Sequence, residues 1–272
     1  MDQVKSVVLS RLAGHTRPKL SGLDNQYQQL HSLLFATITR GEGNSILLLG
    51  PRGVGKTCLV ENSLSALKVE HGNDFHVVRL NGFMQTDDKM ALREIWRQLG
   101  REMEIQDEET AQVSSYADTM ASLLHLLSHP DEWAESMDPS GLERTARSVI
   151  FVIDEFDLFT THPRQTLLYN LLDIAQARKA PVAVVGCSVR IDVGEQLEKR
   201  VKSRFSHRWI YLPLAKSLPT FEEALRTTLM LDESSGLPKI GKELSSEWNT
   251  FVKVCIRPWA PAPGHHTDHR RA

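Results

Sequence analysis

The motif GPRGVGKT at residues 50–57 constrains the fold of this chain more than any other stretch, because it matches the pattern G-x-x-x-x-G-K-[ST]. An apolar run typical of a buried strand, residues 46–49, comes directly before it, and the helical pattern TCLVENSLSALK follows. In this context the glycines let backbone N–H groups turn inward around phosphates, and the helix N-terminus adds its positive end. We therefore predict a phosphate-binding loop formed by Gly50, Pro51, Arg52, Gly53, Val54, Gly55, Lys56 and Thr57.

Two side chains of this loop have predicted roles toward a nucleotide and a metal ion. Lys56 is expected to reach the β- and γ-phosphates of ATP, and Thr57 to bind Mg²⁺ through its hydroxyl group. The alternative is a chance glycine-rich turn, and the strand before the loop and the helix after it argue against that alternative. The sequence thus predicts ATP and Mg²⁺ as cofactors.

Strand-like apolar runs alternate with helical patterns along the chain, which predicts an α/β fold. Residues 45–50, 75–80, 148–154, 181–186 and 208–212 have the character of buried strands. Between them, apolar side chains recur at helical spacing around residues 92–99, 120–127 and 163–179. The polar segment 127–147 is predicted to be a surface loop. This alternation requires crossover connections and therefore a parallel sheet with helices on both faces.

The second motif, SVIFVIDEFDLF, places two adjacent carboxylates where an apolar strand ends. That edge is where open α/β sheets bind their ligands. Asp154 is expected to anchor Mg²⁺ through water, and Glu155 to orient or deprotonate an attacking water. A solvated strand end is the alternative interpretation of both. Asp157 is predicted to be a helix-start or surface carboxylate rather than a third catalytic acid.

One further side chain is a candidate contact to a γ-phosphate. Ser188 follows a predicted neighbouring strand, in the stretch VVGCSVRID, where a polar side chain can reach the same edge of the sheet. The alternative is that its hydroxyl group only caps the backbone of a turn. The residues by themselves leave both interpretations open.

The segment LEKRVKSRFSHRW, residues 197–209, is the most basic stretch of an otherwise balanced chain. If residues 193–205 are helical, Leu197, Val201 and Phe205 form an apolar stripe, and Arg200 and Arg204 point together beside it. Paired guanidinium groups suit phosphate oxygens. Three hypotheses remain open: an arginine finger for a neighbouring subunit's ATP site, a contact to the DNA backbone, and a solvated helix face.

Composition and charge exclude several classes of protein. Lys and Arg total 32 against 34 Asp and Glu, which argues against a surface coated with positive charge for non-specific nucleic-acid binding. The three cysteines are far apart and predict neither a disulfide framework nor paired metal ligands. The N-terminus lacks the pattern of a secretory signal, and no run reaches the roughly 18 apolar residues of a membrane helix. We therefore expect a soluble intracellular protein.

Taken together, the motifs GPRGVGKT, VIFVIDEFDLF, QTLLYNLLDIAQ and LEKRVKSRFSHR closely resemble the AAA+ ATPases of the eukaryotic origin recognition complex. The resemblance extends over residues 20–231 and is most specific from 150 to 208. It implies a nuclear ATP-binding subunit of a six-subunit, ring-like assembly that acts at replication origins and helps to load the replicative helicase. It also implies neighbouring subunits, notably 1 and 5, and origin DNA contacted mainly through the assembly.

The same resemblance implies roles for individual residues. The phosphate loop, Asp154 and Glu155 are expected to bind Mg·ATP. Arg204, with Arg200 and Arg208 as accessories, is expected to act in trans as an arginine finger on the ATP of subunit 1. The polar sensor usual in this family aligns near Val189, so ATP is expected to be bound more than hydrolysed, with at most weak turnover.

The resemblance also suggests a division of the chain. We expect an N-terminal segment at 1–19, an AAA+ ATP-binding domain at 20–212, a partial helical lid at 213–254 and a disordered tail at 255–272. The family's winged-helix DNA-binding domain has no counterpart in this sequence, which suggests a truncated or alternatively spliced product. A stand-alone P-loop ATPase or kinase of another process and a non-functional fragment are the alternatives.

Overall fold

The computed structural model describes residues 2–13, 20–72, 74–102, 148–177, 181–215, 217–231 and 242–256. The chain divides into two compact units, one formed by Asn25–Leu214 and the other by Met1–Asp24 together with Ala215–Ala272. The predicted helix around 120–127, the predicted loop at 127–147 and most of the predicted tail, 257–272, lie outside the described residues.

The larger unit is built on a five-stranded sheet in which every neighbouring pair of strands is parallel. The strands are β1 (Asn44–Leu49), β2 (Phe75–Asn81), β3 (Ser148–Asp154), β4 (Val182–Ser188) and β5 (Arg208–Tyr211). Their order across the sheet is β2-β3-β4-β1-β5. The five apolar runs of the sequence coincide with these strands to within two residues, which confirms the predicted parallel sheet.

Helices flank the strands, as the alternating pattern predicted. Every residue of β1 and β4 is buried, because helices cover both faces of the sheet. The α-helices of the described residues are α1 (Asp2–Leu12), α2 (Asp24–Arg40), α3 (Lys56–His71), α4 (Asp88–Glu102), α5 (Phe156–Phe159), α6 (Thr166–Ala177), α7 (Lys199–Lys202), α8 (Leu218–Leu229) and α9 (Lys242–Ile256).

The register of the sheet brings its polar strand ends together. Asp154 on β3 lies opposite Asn81 on β2 and opposite Cys187 on β4. Leu49, the last residue of β1, lies opposite Ser188. Because all the strands run in one direction, their carboxyl ends meet at one edge of the sheet, where the loop 50–57 also begins.

A buried aromatic cluster supports this edge. Phe151 on β3 and Phe156 and Phe159 on α5 have 0–1% of their surface exposed, and they belong to one core with side chains of α4 and α6. Burying a side chain of this size contributes about 1.5–3 kcal/mol. The carboxyl end of β3 is therefore held in a rigid part of the core.

The smaller unit is helical and has its own apolar cluster. Val4, Val7 and Val8 of α1 pack with Leu231, which follows α8. Trp248 of α9 donates a hydrogen bond from its indole N–H to the Leu229 carbonyl oxygen at 2.9 Å. The α9 helix continues to Ile256 and so includes the first two residues of the predicted disordered tail, 255–272. Among the described residues, no helix is long and apolar enough to cross a membrane.

The structure differs from the sequence prediction in two helical segments. Residues 193–205 are not one helix, because a 3₁₀ turn at Ile191–Gly194 ends before α7 begins at Lys199. The Glu198 backbone between them is extended, with ψ of 149°. The predicted helix at 163–179 begins with a 3₁₀ turn, Pro163–Gln165, and only α6 is regular.

Candidate nucleotide-binding site

A cleft of about 410 Å³ opens at the carboxyl edge of the sheet. Its walls come from the loop 50–57, from the ends of β2 and β3, and from the end of β4 with the residue after it. The lining includes Arg52, Gly53, Gly55, Lys56, Thr57, Cys58, Asn81, Asp154, Glu155, Cys187, Ser188 and Val189. Most of the residues that the sequence analysis assigned to ATP and Mg²⁺ thus share one cavity.

Backbone conformation requires glycine at position 55 of the loop, and close packing requires it at position 50. Gly55, directly before α3, has a left-handed φ of 102°, which side chains with a Cβ rarely adopt. A Cβ on Gly50 would lie 2.6 Å from the Leu212 carbonyl oxygen, so the strand end and the loop could not approach so closely with another residue. The glycines therefore shape a loop that ends at the N-terminus of a 16-residue helix.

Lys56, the first residue of α3, is bound to the loop itself. Its Nζ donates hydrogen bonds to the carbonyl oxygens of Gly50 at 2.7 Å and Pro51 at 3.0 Å. These bonds hold the ammonium group over the cleft that the loop encloses. Thr57 follows, is exposed, and also lines the cleft.

Asp154 ends β3 in a partly buried position. Burial of the carboxylate raises the pKa of Asp154, and a hydrogen bond from the Cys187 thiol group opposes that rise. Burial and the neighbouring carboxylate raise the pKa of Cys187, so this thiol stays protonated and donates to Asp154. An anionic carboxylate in such a place is costly, and a bound cation would offset that cost.

Glu155 has a constrained backbone and a cationic neighbour. It adopts the left-handed conformation, with φ of 50° and ψ of 52°, and immediately precedes α5. Non-glycine residues in this region are uncommon and cluster at functional sites. Its Oε1 lies 3.5 Å from Nη2 of Arg52, whose guanidinium group also lies 5.9 Å from the centre of the Phe83 ring.

Ser188, which is buried, and Asp157, which is partly buried, form a hydrogen-bonded pair beside the cleft. The Ser188 hydroxyl group, in a residue only 1% exposed, donates to Oδ1 of Asp157 at 2.7 Å and accepts a bond from the Arg190 N–H at 3.0 Å. Asp157 lies in the first turn of α5. Ser188 therefore does cap backbone, as the alternative interpretation stated, and it also lines the cleft.

The sequence analysis missed three residues of the cleft, Cys58, Asn81 and Cys187. Asn81 ends β2, and its side-chain oxygen accepts a bond from the Phe83 N–H at 2.9 Å. A polar residue directly after an apolar strand pattern was the available signal for Asn81. Cys187 was not recognisable, because its contact with Asp154 depends on the register between β3 and β4.

Arg204 and Arg200 are not among the residues that line this cleft. Both guanidinium groups lie against the ring of Tyr169 on α6, at 4.1 and 5.2 Å from its centre. Arg204 also donates from Nε to Oδ1 of Asp173 at 2.5 Å. The stripe predicted beside them is buried: Leu197, Val201 and Phe205 are at most 5% exposed.

The donor atoms of the cleft fit a Mg²⁺-nucleotide. The Thr57 hydroxyl group and the Asp154 carboxylate supply the oxygen ligands that Mg²⁺ prefers, and both line the cavity together with the Lys56 ammonium group. The desolvated carboxylate is the observation that favours a cation in this position. The loop and the start of α3 offer the N–H groups that phosphates require.

Comparison with known proteins identifies the family. Residues 19–185 match the model of the AAA ATPase domain. The chain belongs to the AAA ATPase family. Nucleotide binding is the shared property of this AAA ATPase domain, and the phosphate loop, Asp154 and Glu155 lie in its matched residues.

Among AAA ATPases, the chain is similar to origin recognition complex subunit 4 from several organisms. It is 45% identical to the Schizosaccharomyces pombe protein over 239 residues, 87% of this chain and 24% of that protein. It is 38% identical to the human protein over 256 residues, 93% of this chain and 55% of that protein. The Arabidopsis thaliana protein is 35% identical over 223 residues. The chain thus spans about half the length of the human relative, and less of the yeast one.

Solved structures share the AAA ATPase fold. Cdc6p from Pyrobaculum aerophilum superposes with a TM-score of 0.60 at 18% identity, covering 78% of this chain and 50% of that one. A chain of the Drosophila origin recognition complex bound to DNA superposes with a TM-score of 0.58 at 16% identity, covering 95% of this chain and 62% of that one. At these identities, the likeness concerns the fold.

Proposed function

We propose that this chain is the ATP-binding subunit 4 of an origin recognition complex and acts in the initiation of DNA replication in the nucleus. The observation that carries the proposal is the cleft in which the phosphate loop meets Asp154 and Glu155. The chain is similar to subunit 4 relatives over 82–94% of its length. This similarity favours a role in replication over a role in another process that uses an AAA ATPase. Its partners are the other subunits, notably 1 and 5, and origin DNA contacted mainly through the assembly.

In our proposal, different residues of the cleft bind the phosphates and the metal ion of Mg·ATP. The loop N–H groups and Lys56 would bind the phosphates, while Thr57 and Asp154 would hold the metal ion. When bound, Mg²⁺ would neutralise phosphate charge at this site. Cys187 keeps the Asp154 carboxylate oriented through its thiol hydrogen bond.

Hydrolysis by this chain is at most weak in our proposal. Glu155 is the residue that would orient or deprotonate an attacking water. Its carboxylate also forms an ion pair with the Arg52 guanidinium group. Ser188, the candidate γ-phosphate sensor, is hydrogen-bonded to Asp157 and to backbone. Nucleotide therefore serves chiefly to join subunits.

Arg204 acts on the neighbouring subunit rather than on this cleft. It is absent from the cleft lining and lies with Arg200 in a separate cationic cluster. We infer that Arg204 is an arginine finger in trans for the ATP of subunit 1, with Arg200 and Arg208 as accessories.

A capture experiment tests the assembly. Tagged chain is incubated with subunits 1 and 5, with and without Mg·ATP, and we expect nucleotide-dependent capture. Lys56→Ala should lose the nucleotide dependence. Absence of capture by a chain that is folded and binds ATP contradicts the proposal and favours a stand-alone ATPase, for which Glu155→Gln should abolish turnover of the isolated chain.

A turnover experiment tests the finger. In the assembled complex, Arg204→Ala should leave ATP binding by this chain intact and lower hydrolysis at the neighbouring site by about 10³-fold. Lys68→Ala, an exposed cation on α3, is the matched control and should have no effect. Unchanged hydrolysis with Arg204→Ala means that Arg204 is not the finger.

A further inference from the structure

The backbone around Glu155 limits where its carboxylate can lie. Directly after β3 the residue is left-handed, and its carbonyl oxygen accepts the Leu158 N–H at 3.0 Å. Gly82, which follows β2, packs so closely that a Cβ there would lie 2.6 Å from the same carbonyl oxygen. A non-glycine residue keeps this conformation only where its surroundings hold it. The side chain is 22% exposed, so its reach is set largely by the protein.

Arg52 of the phosphate loop contacts this carboxylate. Its Nη2 lies 3.5 Å from Oε1 of Glu155, although the two residues are 103 positions apart in the sequence. The guanidinium carbon also lies 5.9 Å from the centre of the Phe83 ring, at the outer range of a cation–π interaction. The Arg52 side chain remains 72% exposed. Arg52 therefore links the loop to a carboxylate and to an aromatic ring.

The turn that carries Phe83 is ordered by hydrogen bonds. The Asn81 side-chain oxygen accepts the Phe83 N–H at 2.9 Å, and the Asn81 carbonyl oxygen accepts the Met84 N–H at 2.9 Å. The Asn81 N–H in turn donates to Oε1 of Gln85 at 2.7 Å. Asn81 itself lines the cleft. The ring beside Arg52 thus belongs to a fixed turn at the rim of the nucleotide site.

The two cations of the loop have different partners. Lys56 donates to the carbonyl oxygens of Gly50 and Pro51, so its ammonium group stays within the loop. Arg52 instead pairs with Glu155, the residue that would act on the attacking water. This division favours Lys56 as the cation for the phosphates and Arg52 as a cation that acts on Glu155.

The contact competes with the role of Glu155 toward water. A carboxylate that orients or deprotonates a water must offer it an oxygen lone pair within hydrogen-bond reach. The guanidinium group engages Oε1 and keeps the carboxylate beside the loop. Water and salt screen an ion pair at this exposure, so the contact breaks readily. It is therefore a restraint that slows hydrolysis rather than a block.

We propose that Arg52 is a positioning residue that restrains Glu155 and so keeps ATP hydrolysis by this chain slow, with Phe83 steadying the guanidinium group. The inference rests on the proposed function, in which Glu155 acts on the attacking water and nucleotide chiefly joins subunits. A chain restrained in this way retains its ATP for longer, which suits a nucleotide that holds an assembly together.

The test measures ATP turnover of the complex that this chain forms with the other subunits, with and without Glu155→Gln in this chain. The difference between the two rates is the turnover that depends on Glu155. We expect Arg52→Ala to raise the kcat of this component by about 2- to 5-fold, the range of an exposed ion pair, with little change in KM. Arg52→Lys keeps the charge and should cancel most of the increase. Arg93→Ala, at an exposed position of α4, is the matched control.

Salt provides a readout that a purely structural role of Arg52 would not move. Higher ionic strength screens the ion pair, so the Glu155-dependent kcat of the wild type should rise toward that of Arg52→Ala, while the variant should not respond. Phe83→Ala should raise kcat less than Arg52→Ala, because the guanidinium group is still present. An increase that persists when Arg52→Ala is combined with Glu155→Gln would not act through Glu155 and would overturn the inference.

The remaining outcomes separate this inference from the proposed function. If Arg52→Ala weakens ATP binding without raising kcat, Arg52 is a phosphate ligand; the inference is then overturned and the proposed function stands. An unchanged Glu155-dependent kcat has the same meaning. If the folded wild-type chain does not assemble with the other subunits, the proposed function is wrong. The same variants measured in the isolated full chain then decide the role of Arg52.

Discussion

At the scale of residues, the cleft is made of polar side chains whose surroundings determine their chemistry. Asp154 ends an apolar strand, so its carboxylate is desolvated and its pKa is raised. Cys187 is 2% exposed, and its thiol pKa is raised by burial and by Asp154. Lys56 is tied to the loop carbonyl oxygens. Each of these states follows from burial and neighbours, and each can be tested by a single substitution.

Lys56→Ala should weaken ATP binding. The substitution removes the ammonium group from the phosphates, and a hydrogen bond to a charged group contributes about 1.5–3 kcal/mol, which is roughly a 10- to 150-fold change in Kd. Titration with a fluorescent ATP analogue measures it, with the exposed Lys68→Ala as control. Equal affinity of Lys56→Ala and the wild type would contradict the assignment of the phosphate loop.

The cysteines should differ in reactivity toward a thiol reagent. Only the thiolate reacts, and burial keeps Cys187 protonated at neutral pH, whereas Cys255 on α9 is exposed. We expect Cys255 to be labelled rapidly and Cys187 only after denaturation. Because the pKa of Cys187 is raised, increasing the pH to about 9 should not bring its labelling rate to that of Cys255. Peptide mapping of the labelled protein measures both, and fast labelling of native Cys187 would contradict its burial against Asp154.

At the scale of elements, close packing between the strands and α5 limits the residues that can occupy the sheet. A Cβ on Gly186 of β4 would lie 2.3 Å from Cδ2 of Leu47 and 2.7 Å from Cδ2 of Phe156. The glycine therefore lets α5 approach the sheet directly after the Asp154–Glu155 pair. The position of Glu155 thus depends on Gly186, because any side chain there would displace α5 from the sheet.

Gly186→Ala and Gly100→Ala should change the free energy of unfolding in opposite directions. The first forces a methyl group into a filled core and should destabilise by about 1–3 kcal/mol. The second lies in α4, where no atom of another described segment comes within 4 Å of the position of a Cβ, and it should stabilise by up to about 1 kcal/mol through helix propensity. Urea denaturation measures both changes. Similar effects of the two substitutions would contradict the packing of α5 on β4.

At the scale of the whole molecule, the nucleotide site belongs to one compact unit and the α1–α8–α9 cluster to the other. Every residue of the cleft lies within Asn25–Leu214. The second unit contains an apolar cluster in which valines of α1 pack with Leu231, although these residues are far apart in the sequence.

Mg·ATP should raise the thermal unfolding midpoint of this chain. A ligand that binds only the folded state stabilises it by about 2.7 kcal/mol at 100 times its Kd. In a domain of this size, that corresponds to a rise of roughly 5–10 °C. Calorimetry of the wild type and of Lys56→Ala measures the shift, which the variant should lose. An unchanged unfolding midpoint at saturating Mg·ATP would support the alternative that the chain is a non-functional fragment.

The sequence by itself determined the parallel sheet and the family of this protein, because strand periodicity and the loop GPRGVGKT depend on local backbone chemistry. Asp154 and Glu155 were recognisable for the same reason, since each follows directly from the end of an apolar strand. The roles assigned to Glu155 and Arg204 stay predictions. Only the tertiary structure decided the partners of these residues, such as Cys187 for Asp154 and Tyr169 and Asp173 for Arg204. Those partners are 31 to 35 residues away in sequence, and register and packing between distant segments bring them together.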